Sequence, residues 1–382
     1  MQRQRPRTVR VVSLGLTIGL AMLATVFFTA NVNAGGPNDA PPPAQAENQL
    51  CLSCHSNKDL SVKLPSGETL SLYTDVNAFN NSVHGKQGQR CTACHTNISG
   101  YPHPPIAAKD ARDFSLQMYP LCRQCHTEEY KRTLDSAHAT ELAAGNRNAP
   151  VCTDCHTAHY ASKPNEPRAH ISQTCQKCHS TIYDQYKESV HGAALLAESN
   201  PDVPTCEDCH GVHNIGDPRT NAYRLKSPEI CSKCHTDKTR MKKYDISTNV
   251  MNSYVADFHG TTVELFEKQS PNQPTNKAVC YDCHGIHNIK SIKDPKSTVY
   301  KENLLKTCQQ CHPDATINFP ASWLSHYDAS PEKYPMMYYI NLFYAILIPA
   351  TIGAMIAFIA LDIARRVLNR FQKSGGDNDG RA

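Results

Sequence analysis

The chain has 382 residues, a formal net charge of +4, 7% aromatic residues and a single Trp, Trp323. No basic patch stands out, which excludes nucleic acid as a partner. Aromatic residues this sparse make a poor core for an exported chain of this length, so much of the buried apolar surface must come from bound groups.

Residues 1–34 read as an export signal. Arg3, Arg5, Arg7 and Arg10 form a basic start, Val11 to Ala30 is apolar, and Val32-Asn33-Ala34 offers a small-residue cleavage site. The apolar stretch is long for a signal peptide, so an uncleaved anchor is the rival reading. Either way the chain is exported, and without those arginines the remainder is near neutral. Residues 35–47, rich in proline, form a flexible lead-in. Ser61-Val62-Lys63-Leu64 and Thr69-Leu70-Ser71-Leu72-Tyr73 alternate around Pro65-Ser66-Gly67-Glu68, which predicts one small β-hairpin.

Nine copies of one pentapeptide, Cys-x-x-Cys-His, account for all 18 cysteines. They are Cys51-x-x-Cys54-His55, Cys91-x-x-Cys94-His95, Cys122-x-x-Cys125-His126, Cys152-x-x-Cys155-His156 and Cys175-x-x-Cys178-His179. Cys206-x-x-Cys209-His210, Cys231-x-x-Cys234-His235, Cys280-x-x-Cys283-His284 and Cys308-x-x-Cys311-His312 complete the set. This is the attachment signature of c-type haem: two thiols bond the porphyrin and the His becomes the proximal iron ligand. A zinc ribbon also uses Cys-x-x-Cys pairs, but zinc has no need of a His after every second Cys. A disulfide framework has no need of it either. The cofactor expected is therefore haem c, nine per chain, covalently bound. Two propionates on each make the loaded protein acidic.

The motifs recur as two-haem units over 51–121, 122–174, 175–230 and 231–307, with a last single site over 308–330. Together they form a nonahaem domain over 48–330. Each unit carries one further His between its motifs: His84, His138, His191 and His259. His159, His213 and His287 each lie three residues after a proximal His. Three extended residues reach about 10 Å at most. That is too short to round a porphyrin, so these three must ligate a neighbouring haem. The 19 histidines less nine proximal ones leave ten candidates for nine distal positions. His103, His170 and His326 complete the ten, and one of these three is spare. His326 lies between the last motif and the C-terminal apolar segment. It is placed to ligate the haem of His312, or else is an interfacial histidine without iron. Methionine ligands are scarce: Met118, Met241, Met251, Met336 and Met337 precede the apolar segment. The fold class expected is short α-helices and irregular loops wrapped around haems, with the one hairpin and a single C-terminal transmembrane helix.

Leu342 to Leu361 has no charged residue and is long enough to cross a bilayer. A transmembrane helix is expected over 338–366. Tyr334, Tyr338, Tyr339 and Tyr344 crowd its start as an aromatic belt, and Arg365, Arg366, Arg370 and Lys373 follow it. The positive-inside rule puts a tail, 367–382, in the cytoplasm and the motif region outside, on the periplasmic side. Gly353 and Ala357 offer a small-residue face for another membrane helix; a plain anchor is the alternative.

The motifs, the Ser-Val-His-Gly blocks, and the stretches Cys206 to Ile215 and Cys280 to Ile289 resemble membrane-anchored multihaem c-type cytochromes. The stretch from Trp323 to Tyr344 is similar to the juxtamembrane segment of those paired with b-type membrane cytochromes. The resemblance implies electron exchange between the quinone pool and periplasmic or extracellular redox proteins. It implies a b-type or other quinone-linked membrane subunit as partner. Some members carry the b-type domain on the same polypeptide; here a quinone site would come from a separate subunit. Two departures stand out: Thr96-Asn97-Ile98 replaces Gly-x-His in the first unit, and Ala139, not Gly, follows His138.

The sequence therefore favours an electron-transfer subunit with no catalytic residue of its own. The alternative is a multihaem reductase or oxidase of a small nitrogen or sulfur substrate, acting at one five-coordinate haem. A sufficient supply of histidines and the absence of any Cys-x-x-Cys-Lys variant count against it.

Overall fold

The computed structural model describes residues 44–376 except 99, 323–325, 327–329 and 333. The expected signal 1–34, residues 35–43 of the lead-in, Trp323 and the last residues of the tail lie outside the described residues. The described chain is a succession of short helices and loops with one hairpin and one long C-terminal helix. The first helix, Ala44–His55, begins inside the expected lead-in and already contains the first motif.

The hairpin pairs Ser61–Lys63 with Thr69–Ser71 antiparallel, Val62 opposite Leu70. Gly67 closes its turn at φ 86°. Just past it, the Leu72 carbonyl lies 2.7 Å from Nδ1 of His55, so the hairpin orients the first motif's imidazole.

The two motifs of a unit are built differently. The first lies in the last turn of a helix, as in Ala169–Gln176, Asn221–His235 and Leu304–Gln309. The second starts a helix of its own: Cys152–His156, Cys206–His210 and Cys280–His284. The sequence reason is an Asp at the third position of those turns. Asp154, Asp208 and Asp282 accept hydrogen bonds from the backbone N–H groups of Val151, Thr205 and Val279 at 2.6, 2.6 and 2.7 Å. In the first unit that place is Ala93, and Asn48 of the neighbouring helix accepts from the Cys91 N–H instead, at 2.9 Å.

Three of the extra histidines begin helices capped by a buried Ser. Ser82, Ser136 and Ser189 accept from the N–H groups of Gly85, Ala139 and Gly192. A Cβ at Gly192 would run into the Tyr186 carbonyl, so the two helices meet as closely as glycine allows. Pro228 lies inside Asn221–His235 and cannot bond back to Arg224; the Ser227 hydroxyl donates to that carbonyl at 2.7 Å.

The protein's own core is thin. Its one cluster of fully buried apolar residues among those described is Leu225, Val263 and Val279, flanked by Phe266 and Tyr281. The C-terminal helix, Pro335–Gly376, has mean hydropathy 2.3 in its most apolar window and is long and apolar enough to cross a membrane. It overruns the expected 338–366 at both ends, and residues 367–376 of the expected tail are helical. Asp362 pairs with Arg365 and Arg366 at 3.1 and 2.7 Å, one turn apart, which supports the helix beyond the apolar stretch.

Candidate haem sites

Every motif histidine faces one other histidine. His55 faces His103, His95 faces His159, and His126 faces His84, with ring centroids 5.9, 6.0 and 6.2 Å apart. His156 faces His213, His179 faces His138, and His210 faces His287, at 6.1, 6.2 and 6.1 Å. His235 faces His191, His284 faces His326, and His312 faces His259, each at 6.3 Å. A metal–imidazole bond is about 2 Å, and with about 1 Å more to each ring centre, two trans imidazoles on one metal lie about 6 Å apart. The residues present therefore fit an iron between each pair, with two thiols of the same motif alongside.

The pairing crosses the sequence units. Each His of the Ser-x-His type faces the first motif of the next unit; His159, His213 and His287 face the second motif of the previous one. None of these three faces the motif just before it, in keeping with the short tether. His326 differs from the expectation that paired it with His312: it faces His284, because His259 already occupies the face of His312. With all nine motif rings matched, His170 has none left to face, and it is exposed on the helix Ala169–Gln176.

The three-residue step from a proximal His to the next His needs a left-handed residue immediately after the motif. Gly211 and Gly285 both take φ 80° there, and Thr157 takes φ 53° in the second unit. The first unit lacks this turn. Its His103 arrives by a longer loop and faces the first motif's His55 instead.

Neighbouring groups put the motifs in chain order. The thiols of Cys122 and Cys152 face each other, as do those of Cys175 and Cys206, and of Cys231 and Cys280; each contact pushes one partner's pKa up and the other's down. Cys91, pushed up to about 11 by burial, has Cys51 beside it in the same way. These contacts join the two motifs of one unit. The second thiols face the next unit. Burial and then Cys122 and Cys125 push Cys94 up; burial, with Cys231 and Cys234 nearby, takes Cys209 to about 12. Burial takes Cys283 to about 11, with Cys308 and Cys311 among its neighbours. All 18 cysteines are free of disulfides.

Burial lowers His95, His138, His156, His159, His210, His213, His235, His287 and His326 below the ordinary histidine range. It takes His191 and His284 down to about 4, with the facing ring as a second cause. The neutral form so favoured is the one that ligates metal. Nδ1 of His213 is a buried nitrogen with no protein partner. One continuous cavity of about 3550 Å³ runs past the first eight motifs.

Two sets of ties hold the sites, and neither was read from the sequence. Arg112, Arg168 and Arg224 pair with Asp154, Asp208 and Asp282 at 2.8, 2.8 and 2.7 Å. Each Arg precedes the first motif of a unit, and each Asp lies inside the second. The same guanidinium groups donate to the carbonyls of Arg147 and Ala149, of Pro201 and Val203, and of Lys277. In the first unit Glu47 plays the part with reversed sign, pairing with Arg90 at 3.3 Å. The signal available was an Arg seven residues before Cys175 and again before Cys231, matched with Cys-x-Asp-Cys downstream. The second set crosses units through backbone alone: Val83 N–H donates to Ala161 O, Ala137 N–H to Ile215 O, and Val190 N–H to Ile289 O, at 2.8, 2.8 and 2.9 Å.

Paired imidazoles flanked by paired thiols, repeated along a chain, have the site chemistry of a multihaem c-type cytochrome. Residues 147–236 match a family model described as cytochrome c3, and that stretch holds the four motifs from Cys152 to His235. The match supports a multihaem c-type cytochrome with covalently bound haem c, a class that works in electron transfer. No curated protein and no solved structure matches the chain.

Proposed function

We propose that this protein is a membrane-anchored electron-transfer cytochrome carrying nine haems c, every iron held between two histidines. The observation that carries the reading is the set of nine facing imidazole pairs at 5.9–6.3 Å, each joining one motif His to one other His. One-electron exchange is the chemistry haem supplies when bound. The chain's part is to hold the groups in sequence order, fix the ring orientations and bury the sites. A histidine on either side of each site would leave no iron open to a substrate, which disfavours a reductase or oxidase of small nitrogen or sulfur compounds.

The Pro335–Gly376 helix would anchor the chain. Arg365, Arg366 and Arg370 would lie on the cytoplasmic side, and the motif region on the periplasmic side. The tyrosines at the start of the helix and the Gly353/Ala357 face suit a partner helix, such as that of a b-type, quinone-linked subunit. Periplasmic or extracellular redox proteins would exchange electrons at the far end.

Mass spectrometry of the purified protein should find nine haems. Low-temperature EPR of the oxidised form should show low-spin ferric iron only, with no CO adduct after reduction. The ring planes range from 15° at His284/His326 to 66° at His55/His103, so more than one low-spin signal is expected. A high-spin haem that binds CO in the wild-type protein would overturn the reading.

A further inference from the structure

We propose that Asp257 is a positioning residue that makes the ninth site, between His259 and His312, more reducing than its sequence neighbours would predict. The inference rests on the axial-ligand reading above. In the other three units a Ser stands two residues before the equivalent His, at 82, 136 and 189. Its hydroxyl caps the helix, accepting from the N–H three residues on, and at 136 and 189 it also donates to the carbonyl three residues back. The fourth unit has Asp257 there. Its carboxylate accepts from the His259 N–H at 2.9 Å, which keeps the capping role, and the same oxygen lies 3.1 Å from Nδ1 of His259.

Other site imidazoles direct Nδ1 at neutral partners: His55 at the Leu72 carbonyl, His210 at the Tyr223 hydroxyl, His326 at the Ser253 hydroxyl. With iron on Nε2, Nδ1 of His259 keeps its hydrogen and donates it to a full negative charge. That bond draws the proton away and makes the imidazole a stronger electron donor, which stabilises ferric over ferrous iron. The carboxylate is half-buried, with about a quarter of its side chain exposed, so water screens it only in part. Its position at the last motif, next to the segment leading into the apolar helix, lowers the potential at the membrane end of the row. The potential of this site then biases where electrons rest along the chain.

The test uses the full holoprotein and three variants: D257N, D257S and H259A. Both Asp257 variants keep a cap acceptor and remove the charge. Spectroelectrochemical titration should show one of the nine midpoints moving to more positive potential in D257N and D257S, with the others unmoved. EPR should show the low-spin signal of the same haem displaced. H259A reports on the ligand itself and should convert one haem to a high-spin, CO-binding form. If H259A does so while both Asp257 variants titrate as wild type, the tuning role is overturned and axial ligation stands. If H259A leaves every haem low-spin, the ligand assignment fails and the tuning role fails with it.

Discussion

The molecule has two kinds of junction, and they alternate. The two motifs of a unit are held by a side chain that comes from just ahead of the unit: Arg224, seven residues before Cys231, reaches Asp282 with two hydrogen bonds, at 2.9 and 2.7 Å, and donates to the Lys277 carbonyl as well. Between units the tie is backbone, Val190 N–H to Ile289 O, next to histidines that each serve the other side. The first kind depends on residue identity and can be deleted by one substitution. The second depends on where the chain runs, and axial ligation itself would lock it. The units of sequence are therefore not units of structure: each lends a His forward, and the second, third and fourth each lend one back. Except at His55, which faces His103 of its own unit, a unit cut out at its sequence boundaries would lose the histidine facing each of its motifs.

The largest effect should come from breaking a cross-unit ligand. His191→Ala removes the ring facing His235. One haem should turn high-spin and bind CO, and the shared fold of the third and fourth units should loosen. His170→Ala, on the exposed histidine with no facing motif ring, should leave the EPR spectrum and haem content unchanged. A high-spin signal in the second variant, or none in the first, would contradict the pairing.

Next in size is the Arg–Asp tie that joins the two motifs of a unit. Arg224→Met keeps the length of the side chain but removes the donors to Asp282 and Lys277. Hydrogen bonds to charged groups contribute about 1.5–3 kcal/mol, toward the lower end here because both partners are about a quarter exposed. The thermal midpoint should fall, with all haems still bound. The backbone tie can be cut almost alone. Val190 is the first residue of its helix, and Ser189 before it is extended, φ −73° and ψ 163°, as a residue before proline must be. Val190→Pro thus removes the N–H to Ile289 and little else, and should cost about 0.5–1.5 kcal/mol in an unfolding titration. A loss larger than that of Arg224→Met would reverse the ranking of the two junctions.

Much of this was legible from spacing. The motif count located nine histidines, and the recurrence of one His between the motifs of each unit and of the three-residue step pointed to seven of the others. The hairpin followed from alternation around Gly67. Tether length said that His213 could not serve the motif of His210 just before it; it did not say that the ring would reach back to His156. That takes three dimensions, because the partner lies 57 residues upstream of His213. His326 was misdirected for the same reason: the nearest motif along the chain is Cys308–His312, but its face was already taken by His259. The Arg–Asp ties escaped notice because a lone Arg carries no local pattern; its meaning lies in an Asp more than 40 residues away in the second and fourth units.

The smallest expected effect belongs to a cross-unit tie made by side chains, Lys243 about half exposed and Asp202 about a fifth. Asp202 of the third unit meets Lys243 of the fourth at 2.7 Å and the Tyr244 hydroxyl at 3.0 Å. Lys243 and then Tyr244 hold the Asp202 carboxyl below the usual carboxylate range, and Asp202 raises Lys243 in turn. A depressed carboxyl stabilises the folded chain above its ordinary pKa, about 3.9, and that contribution fades as pH falls through and below it. The raised lysine gives its share throughout the neutral range and loses it only in strong base. Asp202→Asn should therefore shift stability slightly at pH 7 and not at all once the pH is well below the depressed value. Salt should shrink the difference at neutral pH, as it does for exposed pairs. A difference that persists undiminished in acid would mean that Asp202 acts by packing.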